Sequence, residues 1–131
     1  MEKQLVALAS DENTVVMWDM DALLSDFRSQ PSIAVETRKI IPGEWLTIDK
    51  QYAMTTDVTA PIILFRLCNH RLFIADGNHR LYRAAMERVP TMRAIILPQE
   101  QHLAYLFRST EEDYRRVIEN LKDEDIFVDS L

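Results

Sequence analysis

Hydrophobic and polar positions along this chain fall into blocks of different period. Thr14-Val-Val-Met-Trp18 is an apolar, β-branched run and predicts a strand. Met20, Leu23, Leu24 and Phe27 then recur at i, i+3, i+4 and i+7. That spacing predicts a short amphipathic helix over 19–27, with Asp19 as its N-cap. Residues 28–32, with Pro31, break the pattern. Pro61-Ile-Ile-Leu-Phe-Arg-Leu67 is nearly continuous in apolar residues and predicts a buried strand. Cys68-Asn-His-Arg71 predicts a turn and Leu72-Phe-Ile-Ala75 a second strand, so 61–75 is expected to form a hairpin.

After Asp76-Gly77-Asn78 the period becomes helical. Leu81, Ala84 and Ala85 share one face, and Arg80, Arg83 and Glu87 another. Val89-Pro90 ends that helix, Met92–Leu97 predicts a further strand, and Pro98 stops it. Two helices are expected beyond, at Glu100–Phe107 and Glu111–Leu121. The second carries Tyr114, Val117, Ile118 and Leu121 on one face and starts with Thr110 and Asp113 in the spacing of a capping box.

Elsewhere the pattern is weaker. Residues 1–13 read as a poorly ordered or edge segment. Ile33, Val35 and Thr37 alternate, Pro42-Gly43 marks a turn, and Trp45, Ile48 and Tyr52 suggest one face of a short helix, with both aromatics expected in the core. Ile126-Phe-Val128 reads as a short last strand or an extended tail. Together these elements predict an α+β fold, a small mixed sheet with flanking helices and a C-terminal helical segment.

Composition narrows the class. The 131 residues, 47% hydrophobic and 27% charged, are those of one globular domain, expected to divide into a core at 14–98 and an extension at 99–131. No apolar run reaches the roughly 20 residues of a membrane helix, and the N-terminus lacks the basic and apolar regions of a secretion signal. One cysteine, Cys68, permits no internal disulfide. The expectation is a cytoplasmic protein with no membrane partner.

Charge is distributed unevenly. Ten acids face five bases in residues 1–65, and nine acids face four bases in 99–131. Residues 66–98 invert the balance, with six arginines (Arg66, Arg71, Arg80, Arg83, Arg88, Arg93) against Asp76 and Glu87. A chain of net charge −6 with one arginine island suits a compact phosphorylated ligand better than a long duplex, because nucleic-acid grips are basic overall.

The candidate chemistry lies at Asp76-Gly77-Asn78-His79-Arg80. Two glycines cannot supply a Walker A loop or a G-x-G-x-x-G turn, no G-x-S-x-G is present, and the three histidines lack zinc spacing. A strand passing through Gly77 into a helix aims backbone N–H groups at an anion. Asn78 can cap that helix, and His79 and Arg80 can donate to phosphate oxygens. Asp76, at the strand end, can hold Mg²⁺ or act as a base, and Arg83 lies one turn beyond Arg80.

From Pro61-Ile-Ile-Leu through Phe-Ile-Ala-Asp-Gly-Asn-His-Arg-Leu-Tyr-Arg-Ala-Ala to Val-Pro-Thr-Met-Arg-Ala-Ile-Ile-Leu97, the chain resembles the ParB/sulfiredoxin superfamily, also called ParB-like nuclease domains. The likeness is good over 61–97 and loose over 14–98. It implies a small α+β domain whose loop binds nucleotide phosphates through Gly77, Asn78, His79 and Arg80, with Arg83 beside them and Asp76, His79 and Arg80 as catalytic candidates. ATP or CTP with Mg²⁺ at Asp76 is the implied ligand. Sulfiredoxins place a cysteine after the glycine, where this chain has Asn78, so their thiol chemistry is not expected. Partition proteins carry G-E-R-R and continue into a DNA-binding domain that the residues after Pro98 are too few to form. A branch resembling a free-serine kinase has D-G-H-H-R, closest in form to this loop, and needs an upstream glutamate. Glu36 and Glu44 are the candidates.

The resemblance therefore implies a nucleotide-binding protein, with phosphoryl transfer, nucleotide hydrolysis or nuclease activity at the loop. Its alternative is a non-enzymatic nucleotide-sensing or DNA- or partner-binding module, plasmid- or phage-associated. In that alternative the C-terminal helices contact a second copy or a protein partner.

Overall fold

The computed structural model describes residues 3–45, 47–121 and 126–128. Its architecture is α+β. Strands β1 (Leu5–Ala9) and β2 (Val15–Asp19) form a two-stranded antiparallel sheet. Helix α1 (Met20–Phe27) follows directly, with the Asp19 carboxylate accepting from the Ala22 N–H at 3.1 Å as the expected N-cap. The N-terminal segment is thus a paired strand, held further by the Lys3–Asp19 ion pair at 2.8 Å.

The main sheet has five strands in the order β3-β6-β4-β5-β7. They are β3 (Ile33–Glu36), β4 (Ile62–Arg66), β5 (Leu72–Asp76), β6 (Thr91–Leu97) and β7 (Phe127–Val128). β4 and β5 form the expected antiparallel hairpin. β6 lies parallel to β4 on its other side, so the chain must cross β4 between β5 and β6. Helix α3 (Asn78–Met86) makes that crossover.

The apolar alternation shows how the layers form. Ile62, Leu64, Leu72, Ile74, Met92 and Ala94 point to one face, where Leu81 and Ala84 of α3 cover them. Ile63, Phe65, Phe73, Ala75, Ile95 and Leu97 point to the other. Trp18 of β2, Leu23 and Leu24 of α1, and Tyr114, Val117 and Ile118 of helix α5 (Glu111–Asn120) cover that face. A sheet covered on both sides needs apolar residues at both phases of its central strands. Hence β4 and β5 read as continuous apolar runs.

Helix α5 (Glu111–Asn120) begins with the capping box: the Thr110 N–H donates to Asp113 at 2.9 Å, and the Asp113 N–H donates to the Thr110 hydroxyl at 3.1 Å. Its apolar face closes on the chain's own core and does not stand free for a partner. The helix expected over 100–107 is shorter: α4 (Gln99–His102) gives way to a 3₁₀ turn, Leu103–Tyr105. His102 is fully buried there and stacks on Phe65 at 4.4 Å, a tertiary contact that pattern reading cannot see. Helix α2 (Lys50–Ala53) is likewise a single turn. Thr37 belongs to a 3₁₀ turn after β3. No helix among the described residues is long and apolar enough to cross a membrane.

Candidate functional site

β5 ends at Asp76 and α3 begins at Asn78, so Gly77 alone makes the corner. It does so at φ 105° and ψ 17°, in the left-handed region. A Cβ at this position would stand 2.4 Å from Cγ2 and 2.8 Å from Cβ of Ile62. Ile62 is fully buried in β4 and cannot retreat. Glycine is therefore required twice, by conformation and by contact.

Asn78, expected to cap the helix, does not do so. The left-handed corner puts Gly77 at the N-cap and Asn78 at the first helical position, and the Asn78 side-chain amide donates back to the Ile74 carbonyl at 3.3 Å. Gly77 has no side chain to cap with. Among the described residues the first N–H groups of α3 thus lack a side-chain acceptor, the state in which a helix start receives an anion.

Arg80 Nη2 donates to Asp76 Oδ2 at 2.6 Å, one helical turn back across the corner. Each side chain is about four-fifths buried. Asp76 Oδ1 has no partner among the described residues.

His79 is placed at the corner with one nitrogen already engaged. Its Nε2 accepts from the Asp49 N–H at 3.1 Å. That contact puts the proton of the neutral ring on Nδ1, leaving Nδ1–H as its donor. Tyr52 meets the ring edge-on at 4.9 Å. Asp49 in turn accepts from the Gln51 and Tyr52 N–H groups, so His79 ties the single turn of α2 to the corner.

Arg83 is held elsewhere. Its Nε donates to Glu87 at 2.6 Å and its Nη1 to the Thr56 carbonyl, so it braces the 49–56 segment on α3. Asp57, beside it, is held below the ordinary carboxylate range by the Thr59 hydroxyl and N–H, with Arg80 and Arg83 adding to the pull.

Residues 76–80 line an open cleft of about 360 Å³. Gln4, Leu24, Arg28, Tyr52 and Thr56 line the same cleft. Arg28, at the C-terminus of α1, and Tyr52 are the residues that sequence reading missed. Tyr52 was expected in the core but is 56% exposed. A one-turn helix offers too few residues for its period to be read, and Arg28 reaches the cleft only through the packing of α1 on the sheet.

The glutamates do not join this cleft. Glu36 pairs with Lys39 at 2.8 Å and with Arg38 at 3.7 Å. It lines a different groove with Ala84, Arg88 and Pro90, at the opposite end of α3. Nine helical residues separate the two ends by roughly 13 Å. Glu44 is exposed and is not among the residues lining the cleft.

The arginine island is likewise dispersed. Arg66 and Arg71 lie at the far end of the β4–β5 hairpin, roughly 17 Å from the corner along five-residue strands. Arg93 bonds to Ser32 beside β3.

Among the described residues, no three His, Cys, Asp or Glu side chains gather as a metal-binding group. A single carboxylate oxygen, Asp76 Oδ1, suits an ion such as Mg²⁺ that is bound mostly by substrate phosphates and water. Comparison of the chain with protein families, curated proteins and solved structures finds no match.

Proposed function

We propose that the β5–α3 corner binds the phosphates of a nucleotide. The observation that carries this is the uncapped start of α3 at a left-handed glycine, opening onto a cleft lined by Arg80 and Arg28. The resemblance of 61–97 to ParB/sulfiredoxin domains points to the same ligand class. In this reading the amides of residues 78–80 and the two guanidiniums take the phosphates, and the exposed Tyr52 ring offers a face for the base. Gly77 and Asn78 contribute backbone and His79 its Nδ1–H. Arg83 holds the cleft's edge through Thr56 without touching the ligand.

Asp76 Oδ1 fits either of two roles, one ligand of a phosphate-bound Mg²⁺ or a proton acceptor. Mg²⁺, when bound, would neutralise phosphate charge. Preorganised donors at the corner would stabilise charge on a transferred phosphoryl group, the main demand of that chemistry.

Nucleotide binding without turnover is the second reading, favoured by the absence of Glu36 and Glu44 from the cleft lining. ATP or CTP with Mg²⁺ is expected to raise the melting temperature, and Arg80→Ala to abolish the rise. At a hundredfold excess over Kd the stabilisation is about 2.7 kcal/mol. No shift with any nucleotide contradicts the proposal. A shift without product on chromatography selects the second reading.

A further inference from the structure

The five-stranded sheet leaves β3 at an edge. The Thr37 N–H donates to the Pro90 carbonyl at 3.0 Å, one step beyond the Glu36–Thr91 pair, and so continues the β3–β6 ladder. In an antiparallel pair, alternate residues turn both backbone groups to the same neighbour. Ile33 and Val35, in phase with Thr37, therefore bond to β6. Ala34 and Glu36 direct their N–H and C=O groups outward, and no described strand pairs with that side.

Apolar surface adjoins this edge. Ile33 is 52% exposed and Ile41 38%. Register places Ile33 and Val35 against Ala94 and Met92, on the face that α3 covers. The groove of about 360 Å³ at the far end of α3 lies beside Thr37, and its apolar lining is Ile41, Ala84, Ala85, Val89 and Pro90. Unpaired backbone next to apolar side chains is a template for a further strand.

We propose that this strand comes from a second copy of the chain, joined β3 to β3 in antiparallel fashion about a two-fold axis. Self-complementarity selects the register with Ala34 opposite Ala34. Ile33 then stands across from the second copy's Val35, and Pro31 across from its Thr37, which brings both apolar side chains to the groove. Pro31 falls at a pair that exchanges no backbone hydrogen bonds, where its missing N–H costs nothing. Glu36 faces the second copy's Ser32, to whose hydroxyl that copy's Arg93 Nε donates at 3.0 Å. The axis repeats this opposite-charge contact on its other side. A register moved two residues one way sets the two Glu36 carboxylates diagonal to each other, and moved the other way sets Glu36 opposite Gln30. The phosphate corner lies at the other end of α3, so the dimer does not depend on the nucleotide reading.

The test is amide hydrogen exchange on the full chain over a concentration series, with sedimentation velocity for the mass. Exchange at Ala34 and Glu36 is expected to slow about tenfold when nine-tenths of the chain is dimeric. Val35, bonded to β6 in either state, is expected to change far less. Ala34→Pro removes an N–H that bonds nothing within one chain. It is expected to leave a folded monomer at every concentration. Glu36→Arg is expected to weaken the dimer and the added Arg93→Glu to restore it. Exchange at Ala34 and Glu36 that ignores concentration, a wild-type monomer up to the solubility limit, or a dimer that survives Ala34→Pro overturns the proposal. A double charge variant that stays monomeric overturns the Ala34–Ala34 register.

Discussion

Gly77 shows how one residue sets both fold and site. Its left-handed φ costs a non-glycine residue about 1–2 kcal/mol. A Cβ pressed into buried Ile62 adds an overpacking cost of about 1–3 kcal/mol. Gly77→Ala is therefore expected to lose about 3 kcal/mol in urea denaturation, a large part of the stability of a small domain. A loss below about 1 kcal/mol would mean that the corner relaxes freely and does not fix the α3 start.

His102 makes a prediction at the same scale. Burial pushes its pKa below the ordinary 6.5, against the opposing pull of its hydrogen bond to the Arg66 carbonyl at 2.9 Å and of Glu100. The unfolded chain thus binds a proton that the folded chain resists. Stability should be full above about pH 6.5 and decline as pH falls from there toward the depressed folded value. Carboxylates whose pKa is lowered, such as Asp19 and Asp113, lose their contribution only at lower pH, below the ordinary carboxylate range. Thermal denaturation between pH 7 and 5 is expected to show a falling midpoint, and His102→Gln a flatter profile. An unchanged slope in the variant would assign the effect elsewhere.

Among the elements, α5 is the most fully written in the sequence. Thr110 and Asp113 announce its start, and Tyr114, Val117 and Ile118 its buried face. Thr110→Ala is expected to cost about 1 kcal/mol, read from chemical denaturation, because it removes the acceptor for the Asp113 N–H. β4, β5 and α3 were equally legible, since both faces of the hairpin are covered and α3 has one apolar stripe. β1 and α2 were not. β1 gains its place from pairing with β2, and α2 from the His79–Asp49 contact. Such contacts join residues distant in sequence and leave no periodic trace. The same reason hid Arg28 and Tyr52 from the site, whereas 76–80 were visible because a strand, a glycine and a helix adjoin within five residues.

For the whole molecule, the −6 net charge and the dispersal of the arginines favour a compact ligand. Arg66 and Arg71 sit at the opposite end of the hairpin from Arg80, and Arg83 and Arg93 are engaged with Glu87, Thr56 and Ser32. No continuous basic track is built among these residues. A labelled duplex is accordingly expected to bind weakly even at low salt. Tight binding with a steep salt dependence would favour the nuclease reading instead.

If the start of α3 is a phosphate site, the amides of Asn78, His79 and Arg80 report on it directly. Titration of labelled protein with a nucleoside triphosphate and Mg²⁺ is expected to give its largest backbone amide shifts at these three residues, with smaller shifts at Tyr52 and Arg28. If these three amides stay fixed while the ligand binds elsewhere, or if no amide moves at saturating nucleotide, the start of α3 is not a phosphate site.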